Sequence, residues 1–100
     1  MKELKRDELN PLIESGKDIL FFFFDPNHPV CTLAYPALEE VNGMVGRAFD
    51  IFIVNTCDEH EIKDAFSVDL VPEFISVKNK KIHKRAKGIL FSNQILDLLK

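Results

Sequence analysis

Six consecutive apolar residues, Ile19, Leu20, Phe21, Phe22, Phe23 and Phe24, stand between Asp18 and Asp25 with no apolar–polar alternation. A run of this length, rich in Phe and closed by a turn signal, predicts a central strand buried on both faces. Before it, Leu9, Leu12 and Ile13 recur at helical spacing over residues 7–15. Asp7 is the expected N-cap there, Pro11 falls in the first turn, and Gly16 ends the helix. After it, Asp25-Pro26-Asn27-His28-Pro29 is a turn leading into a second helix, with Pro29 in the first turn. Val30, Leu33, Ala34, Ala37, Leu38 and Val41 make its apolar face, and Pro36 is expected to kink it without ending it.

Residues 50–55 predict a second buried strand, and residues 58–66 a short acidic helix. Residues 73–77 and 82–86 form a predicted hairpin around Asn79-Lys80. Ser92 is the expected cap of a last helix that turns Ile95, Leu96, Leu98 and Leu99 inward. Early strands separated by helices imply parallel crossovers, and the later pair is antiparallel. The expected class is therefore α/β, a central mixed β-sheet flanked by helices on both faces.

Composition narrows the function classes. One hundred residues allow one core, so a single domain over residues 1–100 is expected. A chain 46% hydrophobic and 29% charged reads as a soluble globule, and a net charge of −3 argues against a nucleic-acid binder. The first eight residues mix charges of both signs with no apolar run behind them, unlike a signal peptide. The longest apolar run is too short to span a bilayer. A cytoplasmic monomer without membrane partner or cofactor is the resulting expectation. Two cysteines, Cys31 and Cys57, are too few for a secreted disulfide framework.

The order and spacing of several segments resemble the thioredoxin family from roughly residue 7 to residue 100. Cys31-Thr32-Leu33-Ala34-Tyr35-Pro36-Ala37-Leu38 resembles the active-site helix with its kinking proline, and Val71-Pro72 the loop bearing the cis-proline. Residues 74–81 are similar to the hairpin that follows, and Gly88 with Phe91-Ser92 to the glycine and helix start near the end. The resemblance implies a thioredoxin-like fold. It also implies a groove at Val71 and Pro72 that pairs with extended peptide, a mode that requires no cysteine.

The redox motif departs from the family. Where thioredoxins carry Trp before Cys-Gly-Pro-Cys, this chain reads Asn27-His28-Pro29-Val30-Cys31. By that resemblance Cys31 keeps the resolving position, and His28 replaces the nucleophile whose pKa a helix N-terminus lowers. No disulfide forms within such a motif, which removes the standard dithiol cycle. The family's buried acid aligns with Phe22, and its threonine after the cis-proline with Glu73, which is expected to bring negative charge near Cys31 and disfavour a thiolate.

A thioredoxin-like peptide- or protein-binding module, chaperone-like and without dithiol reductase activity, is the leading reading. A second is exchange or redox sensing by Cys31 as a single thiol, aided by His28, against the plainer reading of Cys31 as a buried, inert remnant. His28 as part of a catalytic arrangement needs a third group, with Asp25 and Asp58 as candidates. A third reading is metal binding, because His28-x-x-Cys31 and Cys57-x-x-His60 are mirrored pairs with ligand spacing. The 25 residues between the cysteines exceed a zinc-finger spacer. A Cys31–Cys57 disulfide is a further option.

Charge is unevenly distributed. Residues 78–87 hold six Lys or Arg and no acid, while residues 50–73 hold seven acids against Lys63 alone. Lysines on a hairpin protect a sheet edge from self-pairing, and they also suit an acidic partner. Residues 78–87 include no Phe, Tyr or Trp on which a base stacks.

Overall fold

The computed structural model describes residues 1–100. Five strands, β1 (Lys2–Glu3), β2 (Ile19–Phe24), β3 (Asp50–Asn55), β4 (Glu73–Lys78) and β5 (Lys81–Lys87), form one sheet in the order β1-β3-β2-β4-β5. The first three are mutually parallel, β4 runs antiparallel to β2, and β5 antiparallel to β4. The helices are α1 (Leu9–Glu14), α2 (Pro29–Thr32), α3 (Tyr35–Val45), α4 (His60–Ala65) and α5 (Ser92–Leu98).

The apolar run is the middle strand, and its lack of alternation follows from two covered faces. Leu20 and Phe22 point into a core with Ala34, Leu38 and Val41 from the α2–α3 segment and Ile95 and Leu98 from α5. Ile19, Phe21 and Phe23 point to the other face, against Ile62 of α4, Phe66 and Val68, with Leu9, Leu12 and Ile13 of α1 packed beside them. Phe22 meets the ring of Phe74 at 4.8 Å and that of Tyr35 edge-on at 5.6 Å; Phe21 meets Phe66 at 5.1 Å. Each buried Phe contributes about 2–3 kcal/mol of apolar transfer.

The hairpin turns at Asn79 and Lys80, both at positive φ, as a tight turn between right-twisted strands requires. Four expectations need correction. A two-residue strand, β1, precedes everything predicted, recruited by pairing Lys2 with Phe52 and Glu3 with Ile53. Asp7 is no N-cap: it lies in a 3-10 turn, Arg6–Glu8, whose start is held by the Lys5 N–H donating to Glu8 Oε1 at 2.9 Å. The second helix breaks at Leu33 and Ala34, so Pro36 becomes the second residue of α3. Proline has no N–H for the preceding turn, and the break leaves Leu33 63% exposed, with Val30 also outside the core. Phe91, not Ser92, caps α5, because its N–H donates to the Gln94 side chain at 2.8 Å.

Candidate functional site

Strand registers gather the candidate residues at one end of the sheet. Phe24 pairs with Asn55, Phe23 with Glu73, and Glu73 with Lys87. The C-terminal ends of β2, β3 and β5 and the start of β4 therefore adjoin, where α/β proteins place their sites.

From β2 the chain enters the turn through Asp25, whose carboxylate accepts the Asn27 N–H at 2.8 Å. His28 follows in extended conformation as the residue before α2; its N–H donates to the Asp25 carbonyl at 3.0 Å, and its carbonyl accepts the Cys31 N–H at 3.0 Å. Pro29 opens the helix. One turn in, Cys31 is 1% exposed. No second thiol lies in this turn, and both cysteines are free.

Cys57, at the end of β3, is exposed instead. Its Sγ donates to Asp25 Oδ1 at 3.2 Å and accepts from Asn27 Nδ2 at 3.7 Å. The Asp25 carboxylate pushes the Cys57 thiol above its ordinary value, and the Asn27 N–H with the Cys57 thiol holds Asp25 below the usual carboxylate range. Asp25 thus engages Asn27 and Cys57, and no side chain hydrogen-bonds the His28 ring. The two mirrored pairs do not assemble: no three His, Cys, Asp or Glu side chains converge with metal-binding geometry, so His28, Cys31, Cys57 and His60 make no metal site here.

At the same end of the sheet, before β4, the Val71–Pro72 peptide bond is cis. Pro72 is buried, Val71 half-buried and Leu70 67% exposed. The Pro72 carbonyl accepts the N–H of Gly88, which has a φ of +94° that disfavours any side chain. Val30, Leu33, Leu70, Ile89 and Phe91 are all exposed apolar side chains flanking this end of the sheet. None of the surface cavities is lined by His28, Cys31, Val71 or Pro72. The largest, about 590 Å³, is a polar recess between the Lys5–Asp7 segment and residues 58–61. No recess therefore marks the surface around Pro72.

Glu73 does not bring charge to Cys31. It alternates with Phe74 onto the face of Ile75 and Val77, away from Tyr35 and the α2–α3 segment. There it is 0% exposed and accepts Arg85 Nε at 2.7 Å, while Arg85 also donates to the Phe66 carbonyl at 2.9 Å. The position aligned with the family's buried acid is filled by Phe22 among aromatic rings.

No family model matches the chain. It is 30% identical over 90 residues to thioredoxin Y, chloroplastic, of Oryza sativa subsp. japonica, an alignment covering 90% of this chain and 52% of that protein. Chloroplastic thioredoxin z superposes with a TM-score of 0.86 at 16% identity, over 99% of this chain and 90% of the other. The thioredoxin of Fasciola hepatica superposes with a TM-score of 0.86 at 20% identity, over 98% and 94%. The chain has the thioredoxin-like fold. It spans about half the length of the curated relative it matches. As a thioredoxin-like fold, its mixed sheet presents α2 and the cis-proline loop at the same end. No helix is long and apolar enough to cross a membrane.

The resemblance singles out His28, Cys31, Val71 and Pro72 as candidates, and thiol chemistry singles out Cys57. Neither gives the direct contact of Cys57 with Asp25. The signal was available in the parallel pairing of β2 with β3, which makes the residues after Phe24 and Asn55 neighbours.

Proposed function

We propose that this thioredoxin-like chain is a peptide- or protein-binding module, chaperone-like, without dithiol–disulfide reductase activity. The observation that carries the reading is the pairing of His28 at the start of α2 with a Cys31 that is 1% exposed. A thiol–disulfide cycle needs an exposed thiolate to attack and a second thiol to release the mixed disulfide. The turn offers neither. Exchange by Cys31 as a single thiol requires its Sγ to reach solvent first, so burial disfavours that alternative as well.

What the surface offers is an open edge. Exposed Leu70, half-buried Val71 and buried cis-Pro72 stand at the end of the sheet that also carries exposed Val30, Leu33 and Phe91. An extended segment has apolar side chains to meet there, and the backbone of the Val71 loop to pair with. A reduced, carboxymethylated unfolded protein serves as probe in an NMR titration. The reading requires shifts concentrated at Leu70, Val71, Leu33 and Phe91, weakened by Leu70→Ser and unchanged by Cys31→Ser. Shifts scattered over the surface, or dependent on Cys31, overturn it.

A further inference from the structure

Strand β5 has a neighbour on one side only, and six of its seven residues are exposed. Its pairing parity can be read from one bond. The Gly88 N–H donates to the Pro72 carbonyl at 2.8 Å, and the register two residues on pairs Ala86 with Phe74. Bonded pairs alternate along an antiparallel ladder, so Arg85 and Lys87 turn their N–H and C=O groups outward. Toward the hairpin turn a bulge between Ser76 and Val77 interrupts the ladder, and Ser76 Oγ takes the Lys84 N–H at 3.2 Å. The straight, open part of the edge is thus the stretch from Lys84 to Lys87.

The charges along this edge divide into two sets. Arg85, Lys87 and Lys80 are neutralised within the molecule by Glu73, Asp69 and Glu14, at 2.7, 2.6 and 3.5 Å. Lys78, Lys81 and Lys84 have no carboxylate partner: Lys78 lies over the Phe49 ring and Lys84 Nζ meets the Asp97 carbonyl. The strand therefore carries uncompensated positive charge beside unpaired backbone groups.

We propose that the β5 edge accepts an acidic extended segment of a partner protein as a sixth strand. Charge complementarity selects the occupant. A second copy of β5 would set lysine against lysine, which destabilises a strand pair. A neutral strand gains nothing from Lys81 and Lys84 and leaves them crowded. A segment alternating Glu with β-branched residues supplies carboxylates for both lysines, and its backbone pairs with Arg85 and Lys87. Edge protection and selective docking then come from the same residues, because lysine repels every strand except an acidic one.

The test uses a blocked synthetic peptide of alternating Glu and Val, its Lys-and-Val counterpart, and a Glu-and-Val peptide N-methylated at alternate residues. Binding is followed by NMR together with amide exchange. Expected is slowed exchange at the Arg85 and Lys87 amides with the first peptide only, and binding weakened about tenfold by the double variant Lys81→Glu, Lys84→Glu. Both lysines are exposed, and the circular dichroism spectrum verifies that the variant is folded. Unchanged exchange at Arg85 and Lys87 overturns the proposal. So does equal binding of the N-methylated peptide, or of anionic vesicles or an oligonucleotide without amide protection.

Discussion

Arg85 Nε lies 2.7 Å from Glu73 Oε2, and this ion pair ties the edge strand to the residue directly after cis-Pro72. The carboxylate is 0% exposed, and its second oxygen, Oε1, has no hydrogen-bond partner. The guanidinium has a further bond to the Phe66 carbonyl, so one side chain links β4, β5 and the end of α4. Removing the cation from a buried carboxylate costs far more than the pair contributes, because the charge left behind has no solvent. Arg85→Met is expected to lower unfolding stability by about 3 kcal/mol. Urea denaturation measures it, and a loss under about 1 kcal/mol contradicts the picture of a buried, dependent carboxylate.

Cys57 and Cys31 are expected to react in opposite ways. Native protein exposed to iodoacetamide takes up label at Cys57, while Cys31 is labelled only after unfolding, as peptide mass spectrometry resolves. Because Asp25 accepts the Cys57 thiol proton, the Cys57 reaction rises with pH around a midpoint above the ordinary thiol value of about 8.5. Asp25→Asn moves that midpoint down. A midpoint unmoved by the substitution removes the role assigned to Asp25.

Acid sensitivity follows from three carboxyls held below their ordinary range. Glu8 is lowered by Lys2 and the Lys5 N–H, Asp25 by the Asn27 N–H and Cys57, and Asp69 by Lys87 and the Leu70 N–H. A carboxyl lowered on folding contributes stability that is complete above its unfolded value, about 4, and is lost as pH falls through its folded value. The Tm is therefore expected to hold between about pH 5 and neutrality, decline below about pH 4, and decline less in Asp69→Asn. A Tm that rises on acidification reverses the sign and contradicts these contacts.

Two phenylalanines separate stability from binding. Phe22 is buried among Phe24, Phe74 and Tyr35, so Phe22→Ala costs about 3–5 kcal/mol. Phe91 is 77% exposed, and Phe91→Ala changes stability by less than about 0.5 kcal/mol. Its effect is expected in the unfolded-protein titration, as weaker binding. Equal effects of Phe91→Ala on stability and binding assign the side chain to the core instead.

How much of this was legible in the chain depends on whether pattern or pairing decides. The middle strand is readable because both its faces are covered, so its apolar run is continuous, and the hairpin because Asn79 suits positive φ. Strand β1 is not, since Lys2 and Glu3 are exposed, polar and strand-forming only through Phe52 and Ile53. The break before Tyr35 hid behind apolar residues whose helical spacing runs on through Leu33. Glu73 falls beside Cys31 on the resemblance alone, whereas strand parity sends it to the opposite face to meet Arg85. The resemblance makes His28, Cys31, Val71 and Pro72 candidates by position, whereas the burial of Cys31 needs the packed structure.

The proposed absence of dithiol reductase activity is tested most directly by insulin reduction with dithiothreitol, or with a thioredoxin reductase and NADPH, as the electron source. Expected is a rate no different from the uncatalysed control, in the native chain and in Cys31→Ser alike. Catalysed turnover in the native chain that disappears in Cys31→Ser contradicts a buried Cys31 behind His28, and makes this protein a working reductase.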